Sequence, residues 1–473
     1  MMQLLNHPLG FLLLLTATAA EAQPLTPDVL SEIDMVASHA LAEGAMPGLA
    51  IVIRGSDGTN ISRVYGAAVV GTDHAIDEGS VFRLGSISKL VTSAIAMKLV
   101  EDGALALDTP VRELLRDRPG FIVIPASVTV RHLLNHTSGL PDYTLGELEE
   151  GVARGYFEDD SLVTVLGRPP ESEAGEIWKY SDANYGLLTI VIEEATRLPY
   201  DRYVEEVFAP AVGLQSLRTC DRANPQKVNG YLATANGFVP EPAYDVRGLQ
   251  GAGGLCSTAS DLAALPERLI DGRWITSESL EQMLAPTVLN DGVTVDYGLG
   301  VRGGRLGDLD AWGHTGGGLH GAWATFAYYP ASGVSIAVLA NGTGSSLDAS
   351  VIHARVAETV LRPRMLADTG LNRAELELIG GIYSRGNNLT CIVVTDGKLF
   401  RKRVGNDAPP IRLLAQDRWV FGRSDYPLDR IVFQAANGPS PSYHVYYDGL
   451  FAEYWVRITA ADTRSECGAT GGR

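Results

Sequence analysis

The first regular pattern along the chain is a short apolar run. Leu49 to Arg54 is rich in Ile and Val and is bounded by Gly48 and by Gly55-Ser56-Asp57-Gly58, which predicts a buried strand followed by a turn. A helical period follows: Ile87, Leu90, Val91, Ala94, Ile95, Leu99 and Val100 recur on a 3.6-residue spacing, and Gly103 supplies a stop. A second helix is predicted over Asp182 to Thr196, with Leu187, Leu188, Val191 and Ile192 on one face. Thr258-Ala259-Ser260-Asp261 stands before another periodic stretch and resembles a capping box. Trp323 to Tyr329 and Val334 to Leu339 predict two strands joined by the turn Pro330-Ala331-Ser332-Gly333.

The pattern changes after about residue 362, where Pro363 breaks a preceding helix. Ile392 to Val394, Lys398 to Arg403, Arg418 to Phe421, Arg430 to Gln434 and Tyr443 to Tyr447 are short branched and aromatic runs. Asp396-Gly397 and Asp448-Gly449 sit between such runs as hairpin turns. The expected organisation is a mixed helix and strand domain over 23–362, a linker over 363–370, and a β-rich domain over 371–473, a small barrel or sandwich.

Composition narrows the function classes. The 473 residues are 45% hydrophobic and 20% charged, which suits a globular chain with a large core. The net charge of −18 argues against a nucleic-acid partner, which requires basic surface. Residues 1–22 read as a signal peptide. Leu9 to Leu15 is apolar, small residues follow, and Ala20-Glu21-Ala22 fits a cleavage site, although no Lys or Arg precedes the run. That run is too short to span a bilayer, so the expectation is a secreted or periplasmic protein without a stable membrane anchor. Of four cysteines, Cys220 and Cys256 would pair within the first domain and Cys391 and Cys467 within the second; Cys256 equally fits a small buried residue.

The candidate chemistry starts at Ser86. It stands at the predicted N-terminus of the helix that follows, where free N–H groups and the helix dipole favour negative charge. Lys89 lies three residues on, on the same face. A serine hydroxyl needs a neighbouring base before it is a good nucleophile, and Ser-x-x-Lys places one there. Taken alone, the motif fits an N-cap serine with a surface lysine better than a nucleophile. There is no Gly-x-Ser-x-Gly elbow, no His-Glu-x-x-His and no phosphate loop. His132 and His136 sit in a turn context and are read as structural.

Two further segments join the first: Tyr180-Ser181-Asp182, and Trp312-Gly313-His314-Thr315-Gly316-Gly317-Gly318. Together with His136-Thr137-Ser138-Gly139-Leu140 and Gly253-Gly254-Leu255, in this order, they resemble the penicillin-recognising serine hydrolases: class C β-lactamases, D-alanyl-D-alanine carboxypeptidases, D-aminopeptidases and related esterases. The resemblance covers about residues 40–345. It implies an α+β fold, with an antiparallel sheet flanked by helices and an all-helical subdomain that holds Tyr180 opposite Ser86. It also implies that the β-rich domain is similar to lipocalin-like additions on some members.

The resemblance further implies that Ser86 forms an acyl-enzyme, with Lys89 and Tyr180 sharing the base role. The backbone N–H groups of Ser86 and Gly317 would receive the oxyanion, and Asp182, His314, Thr315, Gly316 and Gly317 would contact substrate. Asp182 departs from the usual Asn. It would hold Lys89 as an ammonium, which favours a Tyr180 base. His314 replaces a Lys and would hold a carboxylate only when protonated. No metal or cofactor is implied. The expected partner is a small-molecule or peptide substrate, most plausibly a peptide containing a D-amino acid. A β-lactamase, a carboxylesterase and a non-catalytic penicillin-binding or peptidoglycan-binding module are the alternatives.

Overall fold

The computed structural model describes residues 24–458 apart from 145, 149–158, 221–226, 242–249, 318–320, 346, 364–372, 386–387, 396–397, 405–409, 418–419, 424–429, 434–441 and 448–449. Its centre is an antiparallel sheet in the order Asn60–Gly66, Gly48–Gly55, Val334–Ala340, Trp323–Tyr329, Leu309–Gly317 and Arg302–Leu306. Ile51 pairs with Val338, and His314 with Phe326. The side chains of Gly48–Gly55 divide by parity. Leu49, Ile51 and Ile53 enter one core, while Ala50 and Val52 enter the other. A strand buried on both faces reads as a continuous apolar run for this reason.

One face of the sheet is covered by the helices Pro27–Ala42 and Ala349–Leu361. Both have side-chain caps: Thr26 accepts from Val29 N, and Asp348 from the N–H groups of Ser350 and Val351. Arg362 ends the second helix in the left-handed region, at φ 44°, just before Pro363. The opposite face carries the larger helical layer. There Ser88–Glu101 is buried on almost every side, and Asp182–Thr196 and Ala259–Ile270 pack around it or against the sheet. A helix apolar all round belongs at the centre of such a layer. Among the described residues no helix is long and apolar enough to cross a membrane.

The β-rich C-terminal part has eight antiparallel strands in chain order: Gly381–Arg385, Asn388–Thr395, Lys398–Arg403, Ile411–Asp417, Val420–Arg423, Arg430–Phe433, Ser442–Tyr447 and Leu450–Ile458. The first also pairs with the last, Ile382 opposite Ile458, so the ring closes. Tyr383, Ile392, Leu399, Leu413, Ile431, Tyr443 and Trp455 fill it. Among the described residues one strand pairing, Gly304 with Leu450, joins it to the central sheet. The turns Asp396-Gly397 and Asp448-Gly449 lie outside the described residues; Thr395 pairs with Lys398 and Tyr447 with Leu450. Most of the expected linker and the whole expected signal peptide also lie outside the described residues.

Cys220 and Cys256 are disulfide-bonded. Cys391 is disulfide-bonded too, and Cys467, its expected partner, is not among the described residues.

Candidate active site

The two-residue strand Phe82–Arg83 pairs with Leu255–Ser257 and leads directly into the turn that carries Ser86. Leu84 N donates to Leu255 O at 2.9 Å. Gly85 then adopts φ +52°, and a Cβ there would meet Gly317 N at 2.8 Å. Only glycine suits both the backbone angle and that approach. Ser86 occupies a short 3-10 turn, Gly85–Ile87, that feeds the α-helix Ser88–Glu101.

Lys89 is completely buried. Its Nζ reaches Asp182 Oδ1 at 2.6 Å, Ala252 O at 2.7 Å and Ser86 Oγ at 3.2 Å. An ammonium has three protons and no lone pair, and here three acceptors surround it. Burial pulls the Lys89 pKa down. The Asp182 carboxylate and Tyr180 outweigh it, and the net direction is upward from the ordinary lysine value.

Asp182 opens the helix Asp182–Thr196, but Ser181 caps it by accepting from Asn184 N. Asp182 is therefore free to face Lys89. The Tyr180 ring centre lies 4.7 Å from Lys89 Nζ. Its hydroxyl is buried, and among the described residues no group completes a hydrogen bond with it. A buried polar group without a partner calls for an explanation, and a substrate proton is one.

The third wall is the strand Leu309–Gly317. Gly316 lies flat against the turn that carries Ser86, since a Cβ on it would sit 1.9 Å from Leu84 O and 2.9 Å from Ser86 N. Gly317 has φ +148°. Ser86 and Gly317 thus bring their backbones to the same place, and half-buried Thr315 lies two residues away.

His314 is fully buried. Burial, with Arg302 and Lys89 adding to it, pushes its pKa well below the ordinary histidine value, and His136 is shifted the same way. A neutral His314 cannot act as the pH-gated cation expected for it. It belongs instead to a directed hydrogen-bond chain. Ser181 N donates to His136 Nδ1 at 3.2 Å, which puts the His136 proton on Nε2, facing the Tyr297 hydroxyl at 3.1 Å. Tyr297 in turn faces His314 Nε2 at 3.3 Å, and His314 Nδ1 lies 2.6 Å from Thr315 O. With both imidazoles neutral, every link has one donor and one acceptor. Tyr297 thereby ties the Tyr180 segment to the His314 strand.

Three site residues escape the sequence reading. Tyr297 and Arg302 sit in stretches without periodicity or motif. Arg302 lies on the strand Arg302–Leu306, opposite Gly313, with its guanidinium carbon 5.2 Å from the Tyr180 ring centre. Asp142 does have a signal, because it follows Pro141 at the end of the His-Thr-Ser-Gly-Leu segment. Its carboxylate accepts the N–H groups of Asp182, at 3.1 Å, and Ala183, at 2.9 Å. Burial and the neighbouring Asp182 charge raise its pKa to about 6.

Residues 33–361 match the family model described as Beta-lactamase. The chain is 32% identical over 261 residues to penicillin-binding protein 4* of Bacillus subtilis (strain 168), covering 50% of this chain and 55% of that relative's own length. It is 30% identical over 324 residues to penicillin-binding protein 4 of Amycolatopsis lactamdurans, covering 63% of this chain and 82% of the relative. The octameric penicillin-binding protein homologue from Pyrococcus abyssi superposes with a TM-score of 0.62 at 22% identity, over 91% of this chain and all of that one, which shows a shared fold. With the family model matched over more than half the chain, the chain belongs to the Beta-lactamase family of serine hydrolases.

Proposed function

We propose that this protein hydrolyses a peptide or ester through an acyl-enzyme on Ser86, with Tyr180 as the general base and Lys89 as a permanent ammonium. The observation that carries this reading is the set of three acceptors around Lys89 Nζ, with the Tyr180 ring centre 4.7 Å from the same atom. An ammonium whose protons are all committed cannot take one from Ser86. It can lower the cost of charge on Tyr180 and on the developing alkoxide. In this scheme Tyr180 acts as its phenolate: it takes the Ser86 proton as Oγ attacks the carbonyl carbon, and becomes the phenol. The oxyanion settles on the N–H groups of Ser86 and Gly317, and each such donor is worth about 3 kcal/mol in the transition state. Tyr180 then protonates the leaving group, and a water repeats the sequence to release the acid.

A peptide with a D-residue is the substrate we favour, in keeping with the penicillin-binding proteins among the relatives. The substrate's carboxylate would face Arg302 rather than neutral His314, because a guanidinium keeps its charge where an imidazole loses it. A carboxylesterase is the second reading. Asp182, unlike Asn, offers no N–H to a substrate amide. Export is supported by the disulfide Cys220–Cys256, a bond of oxidising compartments.

Intact-protein mass spectrometry tests the mechanism, using wild type and Ser86→Ala incubated with a penicillin and, separately, with nitrophenyl acetate. A persistent penicilloyl adduct on wild type alone fits a peptidase or esterase. Penicillin consumed without an adduct fits a β-lactamase. A penicilloyl adduct without ester turnover fits a binding module. Labelling or turnover that survives Ser86→Ala would remove Ser86 from the mechanism.

A further inference from the structure

The C-terminal barrel touches the catalytic domain at one informative place. Asp296 and Tyr297 are adjacent, and their side chains serve opposite neighbours. Tyr446, on the barrel strand Ser442–Tyr447, donates its hydroxyl to Asp296 Oδ2. Tyr297 faces the catalytic side and bridges His136 and His314. The outward side chains of the barrel continue the contact. Tyr446 and Tyr454, both buried, share one apolar cluster with Trp178, Leu289, Val295 and Tyr297, and Tyr180 packs against that cluster. His444 stands beside Tyr454 with ring centres 5.4 Å apart, and burial lowers its pKa to about 4, so this face of the barrel presents no histidine charge to Asp296 near neutral pH.

We infer that the barrel is a positioning element of the active site, and that Tyr446 acts through the Asp296–Tyr297 pair on the placement of Tyr180. The links are short. Tyr446 fixes Asp296, and the next residue, Tyr297, holds His136. The His136 ring lies 4.4 Å from the Tyr180 ring centre, and His136 Nδ1 accepts from Ser181, the residue after Tyr180. The same tyrosine holds His314 and, through Thr315 O, the strand that ends at Gly317. Loosening Asp296 therefore loosens the base and the oxyanion strand together. Tyr446 and Tyr297 are positioning residues in this scheme, since neither touches the reacting atoms. Misplacing a catalytic group by an ångström lowers the rate far more than it lowers affinity for a substrate held elsewhere.

The inference rests on Tyr180 as the base, and the experiment separates the two claims. Steady-state kinetics on the full chain with a chromogenic ester would compare wild type, Tyr446→Phe, Tyr297→Phe, their double variant and Tyr180→Phe, each with its thermal midpoint. Tyr446→Phe deletes one oxygen; Asp296→Asn keeps the shape at the other end of the same contact and serves as the second probe. The expected result is a kcat lowered on the order of tenfold by Tyr446→Phe with KM nearly unchanged, and a double variant no slower than Tyr297→Phe alone. Unchanged kcat in both Tyr446→Phe and Asp296→Asn, or losses that multiply in the double variant, would overturn the positioning role even where the midpoint falls. A fully active Tyr180→Phe would instead overturn the assignment of the base.

Discussion

Lys89 Nζ and Asp182 Oδ1 stand 2.6 Å apart, with the lysine side chain wholly buried and the aspartate about a quarter exposed. The pair is the electrostatic centre of the site. Removing one partner of a buried pair strands the other's charge, at a cost of about 3–5 kcal/mol when both are fully buried. Asp182→Ala should fall at or below the low end of that range, because the carboxylate is partly wet. The raised Lys89 pKa fixes the sign. The pair's contribution is fully present below the unfolded lysine value and is lost as pH climbs through the higher folded one. Urea titrations of wild type and Asp182→Ala at pH 7 would measure the difference. Asp182→Asn should be milder, and it should raise amide turnover relative to ester turnover. An unchanged amide-to-ester ratio would remove Asp182 from substrate selection.

The two serines of the nucleophile motif should behave differently. Ser86→Ala should lower turnover on the order of a million-fold, as for other serine nucleophiles. Ser88 is fully buried, and its Oγ accepts from Leu255 N at 3.1 Å. Ser88→Ala leaves that N–H unsatisfied and should cost about 1–3 kcal/mol of stability. Its kcat well below the melting range should change little. Turnover of both variants at 25 °C, beside their thermal midpoints, would expose a misplaced nucleophile as equal losses of kcat.

The pattern of apolar positions locates the parts that pack, and it does so because their neighbours are apolar too. Asp182–Thr196 is bounded as predicted, since Ser181 supplies a cap and Arg197 turns left-handed at φ 58°. The barrel is less legible. Gly381–Arg385, Ile411–Asp417 and Leu450–Ile458 carry no clean alternation. In the last of these, Glu453 is buried beside the guanidinium groups of Arg385, Arg401 and Arg403, with Trp455 Nε1 donating to it at 2.8 Å. A charge buried inside a barrel by pairing erases the polar-out pattern that marks a strand. Ser86, Lys89 and Tyr180 are legible because short motifs carry them. Tyr297 and Arg302 act from places that only the folded chain brings to the cleft.

Asp142 predicts a pH dependence. Its pKa is raised from the ordinary aspartate value to about 6, by burial first and by Asp182 second. The folded chain then holds a proton that the unfolded chain has released between pH 4 and 6, so stability from this group falls as pH rises through that window. The shift corresponds to about 3 kcal/mol at most. Asp142→Asn, with no charge to lose, should flatten the stability profile between pH 4 and 6. The profile is read from chemical denaturation at half-unit steps. Parallel wild-type and variant profiles would show that the titrating group is another one.

The disulfide makes the last prediction. Cys256 lies on the middle strand of a three-stranded sheet, Leu255–Ser257, between Arg218–Thr219 and Phe82–Arg83. Cys220 directly follows one neighbour, and the other leads within three residues to Ser86. The preceding turn presents Ala252 O to Lys89. The bond therefore joins two strands of the small sheet that leads to Ser86. Cys220→Ala with Cys256→Ala should lower the thermal midpoint, since a loop of 36 residues closed by a disulfide contributes on the order of 3–4 kcal/mol. It should also slow acylation of Ser86 at temperatures where the variant is fully folded. Stopped-flow acylation by a chromogenic β-lactam at 15 °C is the decisive measurement. A slower rate in a natively folded variant means that the disulfide seats the nucleophile. An unchanged rate with a lower midpoint would reduce it to a stabilising staple.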